Sequence, residues 1–166
     1  MIGWDFSFAM GGAGFFMGTQ ERFEIGEYDA NGELRRLFRL PDADLTLSAE
    51  VLQQALDQSV RNADEVSRGQ ERAFAADLPR RNTLPGYDKF LVDETGYLWV
   101  CTRDYSAPGQ MRCGSEWHVF DPSGSWLGAV AMPADFEPTY IGEEWVLGLH
   151  IDDLDVPRIR LHGLIR

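Results

Sequence analysis

Apolar and polar positions alternate with a period of two in short runs. Phe23, Ile25 and Glu27 alternate with Glu24, Gly26 and Tyr28, and Leu98, Val100 and Thr102 with Trp99, Cys101 and Arg103. This spacing sends successive side chains to opposite faces of a strand. Both faces carry apolar residues, which a lone hairpin in water does not support, so the strands are expected between neighbouring sheets. The pattern predicts strands at 2–10, 14–20, 22–29 and 33–40, then 88–94, 97–103, 116–121 and 125–132, and finally 138–143, 145–151 and 157–165. Between the first two groups the period changes. Leu52, Ala55, Leu56, Val60 and Ala63 recur at helical spacing, with Thr46 or Ser48 as N-cap, which predicts a helical insertion over 46–80.

The turns between these runs share a grammar. Lining up Tyr28 with Phe120 puts Asp29 on Asp121, Gly32 on Gly124 and Pro41 on Pro133 without a gap, and a shorter copy places Asp93 before Gly96. An Asp carboxylate accepts turn amide hydrogens, while Gly takes a positive φ that other residues avoid, so Asp-x-x-Gly specifies a tight hairpin. With the insertion set aside, the rest divides into about three units at the roughly 40 to 50 residues typical of propeller repeats. The expected fold is all-β, with antiparallel four-stranded blades of a β-propeller: about three blades forming a partial ring, with one helical insertion. The boundaries are a blade at 1–45, the insertion at 46–80, a blade at 84–136 and a three-stranded last blade at 137–166. A β-sandwich of two packed sheets is the competing architecture, but it does not require the same turn to recur.

Composition narrows the partners. The 166 residues are 44% apolar and 12% aromatic, enough for a real core, and 15 basic against 27 acidic residues give a net charge of −12. Phosphate-backbone binding needs the opposite sign on at least one face, so nucleic acid is excluded as an expected partner. No run approaches the roughly 18 apolar residues of a membrane helix, so no membrane insertion is expected; the N-terminus shows no basic region of a secretory signal. Cys101 and Cys113 flank a hairpin loop containing "SAPG". Two free thiols in a reducing compartment is the first expectation and a disulfide the second, since the pair lacks the spacing of a zinc site.

"YDKFLVDETGYLWVCTRD", "EWHVFDPSGSWLGAVAMPADFEP" and "YIGEEWVLGLHIDDLDVPRIRLHGLIR" resemble the C-terminal part of bacterial six-bladed β-propeller proteins, distantly akin to NHL-repeat propellers. The resemblance implies a fold and, in bacteria, export to the periplasm or beyond, and it leaves the activity open. The chain departs from that family in holding about half of the blades, and its last group lacks a fourth strand. Three explanations follow: a partial chain that needs its missing blades, a second copy that completes the ring, or an open arc whose insertion covers an edge.

No catalytic, cofactor-binding or metal-ligating residue is assigned, and no cofactor is expected. His118, His150 and His162 have no close ligand spacing and read as packed or surface histidines. Asp152, Asp153 and Asp155 beside His150 lack the spacing of a calcium loop and read as a solvated turn, as do Glu143 and Glu144. "MGGAGFFMG" lacks the order of a phosphate-binding loop and reads as a turn between strands. Trp99, Trp117, Trp126 and Trp145 are expected mainly in packing between blades, with any exposed subset offering a peptide or glycan platform. The expected function is a non-catalytic binding or scaffolding module that presents blade-end loops to a protein, peptide or saccharide. The alternative is a metal-dependent hydrolase or lyase on the propeller axis. It requires carboxylates such as Asp88, Asp93 and Glu143 to converge.

Overall fold

The computed structural model describes residues 5–62, 69, 83–103, 113–133, 135–152, 154 and 156–165. Three antiparallel sheets form. The first runs β1 (Ser7–Gly11), β2 (Gly14–Gly18), β3 (Glu24–Asp29), β4 (Leu34–Arg39) in that order. After α1 (Ala49–Asn62), the middle sheet runs β5 (Lys89–Val92), β6 (Leu98–Arg103), β7 (Cys113–Phe120), β8 (Trp126–Ala131). The third is β9 (Phe136–Ile141), β10 (Trp145–Ile151), β11 (Pro157–Gly163). Each predicted strand is found, in the predicted groups of four, four and three. Three sheets rather than two pack together, which sets the two-sheet sandwich aside. Residues 2–4 of the predicted first strand and most of the insertion beyond Asn62 lie outside the described residues.

Of the two N-cap candidates, Ser48 takes the role: its Oγ accepts the Val51 amide at 3.2 Å, while Thr46 makes a bridge with Thr83. Among the described residues no helix is long and apolar enough to cross a membrane.

Register assigns the faces. Phe16, Ile25 and Phe38 of the first sheet pack against Phe90, Leu98, Val100 and Phe120 of the middle sheet. The middle sheet's other face, with Trp99, Cys101, Trp117 and Val119, meets Phe136, Ile141 and Val146 of the third. The middle sheet is therefore covered on both sides, which is why its strands are apolar at consecutive positions.

The first strands of the three sheets lie side by side and run the same way. A Cβ on Gly11 would strike Val92, so the ends of β1 and β5 coincide. The Glu94 amide bonds the Ile141 carbonyl at 3.4 Å, and Lys89 Nζ reaches Glu137 at 2.7 Å and the Pro138 carbonyl at 3.1 Å, so β5 and β9 are matched at both ends. The opposite end of the first joint is fastened by Gln20. Its side-chain amide donates to the Asp88 carbonyl at 2.6 Å and its backbone amide to the buried Tyr87 hydroxyl at 3.2 Å. Burial pushes the Tyr87 phenol up to about 12.

The free-thiol expectation is corrected: Cys101 and Cys113 form a disulfide, with Cα atoms 5.6 Å apart. Arg103 pairs with Cys113 across β6 and β7, so the ladder starts three residues earlier than the predicted 116 and brings the two sulfurs together. Closing a loop of this size stabilises the fold by about 3 kcal/mol through lost denatured-state entropy. Reduction with dithiothreitol is expected to lower the urea unfolding free energy by about that amount. An unchanged midpoint would show that the bridge adds nothing to the folded state.

Candidate functional site: the hairpin rim

The repeated turn is one local design used four times. Oδ1 of Asp29 accepts the amides of Asn31 at 2.9 Å and Glu33 at 3.0 Å. Asp93 does the same with Thr95 and Tyr97, and Asp121 with Ser123 and Ser125. The Gly three residues after each Asp donates to its carbonyl, with φ of 83°, 88° and 93° at Gly32, Gly96 and Gly124. This is a three-residue hairpin loop closed by a glycine bulge. The fourth copy is Asp152, whose Oδ1 accepts the amides of Leu154 and Val156, each at 3.0 Å. The sequence predicts a solvated hairpin turn here without the Asp-x-x-Gly grammar, since Asp155 stands where the other copies have Gly; Asp153 and Asp155 themselves lie outside the described residues.

In three of the four copies the second carboxylate oxygen recruits the residue six positions on; after Asp121 that residue is Leu127, which has no donor to offer. Arg35 Nη2 reaches Asp29 at 2.8 Å, Arg158 Nε reaches Asp152 at 2.8 Å, and Trp99 Nε1 donates to Asp93 at 3.0 Å. The Arg35 hydrogen bond holds the Asp29 carboxyl below its ordinary range, and Arg158 does so for Asp152. These carboxylates are fully engaged in holding their own turns.

Because β1, β5 and β9 run the same way, the Gly12–Ala13 turn, the Asp93–Tyr97 turn and the Gly142–Glu144 turn crowd one end of the stack. The "MGGAGFFMG" segment is the turn the sequence predicted: Gly11 pairs with Gly14, and Gly12 has φ 57°. Glu94, Glu143 and Glu144 are exposed on this rim, and Tyr140 donates its hydroxyl to Glu94 at 2.9 Å while stacking on Trp145 at 5.5 Å. Asp88 and Asp93 are not brought together. They bracket β5 at opposite ends, roughly 16 Å apart along an extended strand. Among the described residues no three His, Cys, Asp or Glu side chains gather as a metal site.

The histidines stand on three different strands, β7, β10 and β11. His162 packs edge-on against Phe136 at 4.6 Å, and His150 sits opposite Phe136 in the ladder between β9 and β10. His118 is buried against Phe23, with ring centroids 5.5 Å apart, and among the described residues its Nδ1 has no hydrogen-bond partner. Glu116 lies 3.6 Å from its Nε2. Burial pulls the His118 pKa down, with Glu116 opposing. Its native pKa lies below the unfolded value, so its contribution is complete above about pH 6.5 and fades as pH falls toward the native value. His118→Phe is expected to flatten the dependence of urea unfolding free energy on pH just below about 6.5. An unchanged slope would assign that titration to another group.

The tryptophans divide by sheet face. Trp99 and Trp117 are buried, Lys89 Nζ stands 5.7 Å above the Trp117 ring, and Trp126 at the edge strand β8 is half exposed. A cleft of about 470 Å³ opens beside β3 and β4, lined by Arg22, Leu40 and Pro41, with Glu24 and Arg39 paired to each other at 2.6 Å on its wall. Sequence reading missed the Gln20–Tyr87 joint. Its only advance signal was a polar residue between two strands, which is common to most loops. No family model matches the chain, and no curated protein matches it.

Proposed function

We propose that the chain is a non-catalytic binding or scaffolding module built as about three blades of a β-propeller, and that it presents its hairpin rim to a protein, peptide or saccharide partner. The observation that carries this reading is the engagement of Asp29, Asp93 and Asp121, all at the rim end of the stack, with their own turns. Carboxylates used this way make rigid loop ends and hold Glu94 out from a fixed scaffold, while Glu143 and Glu144 stand exposed on the neighbouring turn between β9 and β10. The face-to-face order of the sheets and the common direction of β1, β5 and β9 support the propeller reading. The Cys101–Cys113 bridge supports an oxidising, exported location.

The test uses the purified chain and a variant carrying Glu94→Gln, Glu143→Gln and Glu144→Gln, applied to arrays of immobilised peptides and glycans. Wild type is expected to be retained on one class of ligand. The variant is expected to bind about tenfold more weakly or worse, at an unchanged unfolding midpoint. Identical retention of the two proteins would overturn the rim assignment. Turnover of a lactone or ester by the chain supplied with a divalent metal would replace the binding reading with the hydrolytic one.

A further inference from the structure

Among the described residues the two end sheets each leave one apolar face uncovered. On the first sheet, cross-strand register puts Phe8 and Met17 on one face together with Met10, Phe15 and Tyr28, away from the middle sheet. Phe8 is 54% and Met10 70% exposed, although Phe8, Phe15 and Tyr28 form a continuous ring stack with centroids 5.7 and 5.3 Å apart. On the third sheet, Tyr140, Leu147 and Leu161 share a face with Leu149 and Ile159, again away from the middle sheet. Ile159 is 76% and Leu161 64% exposed. Contiguous apolar surface of this kind marks an interface.

We propose that these two faces are the halves of one contact between two copies of this chain, the third sheet of each copy packing on the first sheet of the other. The occupant follows from the packing already present. Within the chain, one face of each sheet packs on the facing side of the next, and this contact is made twice in the same sense, once around Phe120 and once around Trp117. The exposed face of the third sheet and the exposed face of the first are the two unmatched sides of that same repeat. A second copy supplies both. Joining at both ends closes a two-fold ring of six sheets in which no such face meets water, whereas joining at one end only would continue as a filament. The contact is between unlike faces, and this distinguishes it from ordinary self-complementary dimers. It rests on the propeller reading proposed above and is independent of what the hairpin rim binds.

Sedimentation equilibrium of the full chain at micromolar concentration is expected to give twice its 18.8 kDa mass. Two variants then test the geometry: Ile159→Glu with Leu161→Glu on the third sheet, and Phe8→Lys with Met10→Lys on the first. These four side chains are more than half exposed, so circular dichroism is expected to show both variants folded. Each variant alone damages both contacts of the ring and is expected to associate at least tenfold more weakly. Their equimolar mixture regains one unaltered contact and one of Glu against Lys, and is expected to return to the dimer mass. A wild-type chain that stays monomeric overturns the proposal. So does a single variant that remains dimeric, which would mean a contact between like faces, or a mixture that stays monomeric.

Discussion

Phe120→Ala is expected to lower the unfolding free energy by about 3–5 kcal/mol. Phe120 is fully buried at the joint between the first and middle sheets, edge-on to Phe38 at 5.9 Å and tilted against Phe23 at 6.0 Å. Truncation removes the transfer free energy of the ring, opens a cavity that two β-sheets are too stiff to close, and takes away both aromatic contacts. A domain's net stability is about 5–15 kcal/mol, so the variant is expected to unfold at a much lower urea concentration or to be unfolded at 37 °C. Leu127→Ala, on the exposed edge strand, serves as the comparison and is expected to change stability by no more than about 0.5 kcal/mol. A Phe120 loss no larger than that of Leu127 would mean that the two sheets are not held together at this ring.

Asp93→Ala is the second large effect, expected at about 2–4 kcal/mol from hydrogen bonds to a charged group and a buried donor left unpaired. Oδ1 of Asp93 accepts the Thr95 and Tyr97 amides and the Thr95 hydroxyl, and Oδ2 accepts the Trp99 indole. Burial raises the carboxyl pKa, but the bonds from Trp99, Thr95 and Tyr97 outweigh it and the net shift is downward. The native pKa thus lies below the unfolded one. Stability from this group is complete above about pH 4 and is lost as pH falls through the native value. Asp93→Asn keeps the shape but turns an amide N–H toward the indole N–H. Its deficit against wild type is expected to be large at neutral pH and to shrink in acid. A deficit that is constant with pH would mean that geometry rather than charge is responsible.

The strands and three of the four Asp turns were legible because their causes are local. Alternation of period two needs only neighbouring residues, and Asp-x-x-Gly closes a hairpin within five positions. The turn at Asp152 was harder to read because the glycine is missing. The pairing of Asp152 with Arg158, at the spacing of Asp29 with Arg35, was a usable signal. The site was less legible. Asp93 looked like a candidate axial carboxylate because an acidic residue at a strand end is compatible with either ligation or turn closure. Only its bonds to Trp99 and the turn amides separate the two. Trp117 and Trp126 were equivalent in the sequence, both standing in or beside apolar strands. One became core and the other half exposed because β7 lies inside its sheet and β8 at the edge.

The Cys101–Cys113 bridge belongs with these: equal flanking of a loop allows a disulfide, but the register between Arg103 and Cys113 brings the sulfurs into contact. By itself the sequence determined the elements, their grouping and the turn chemistry, since torsional preference and hydrogen bonds across a few residues fix them. The tertiary structure decided which faces are covered, which carboxylates are engaged and which apolar faces stay open. Those properties depend on sheets whose contacts join residues far apart along the chain, and no local pattern encodes the neighbour that a strand will meet.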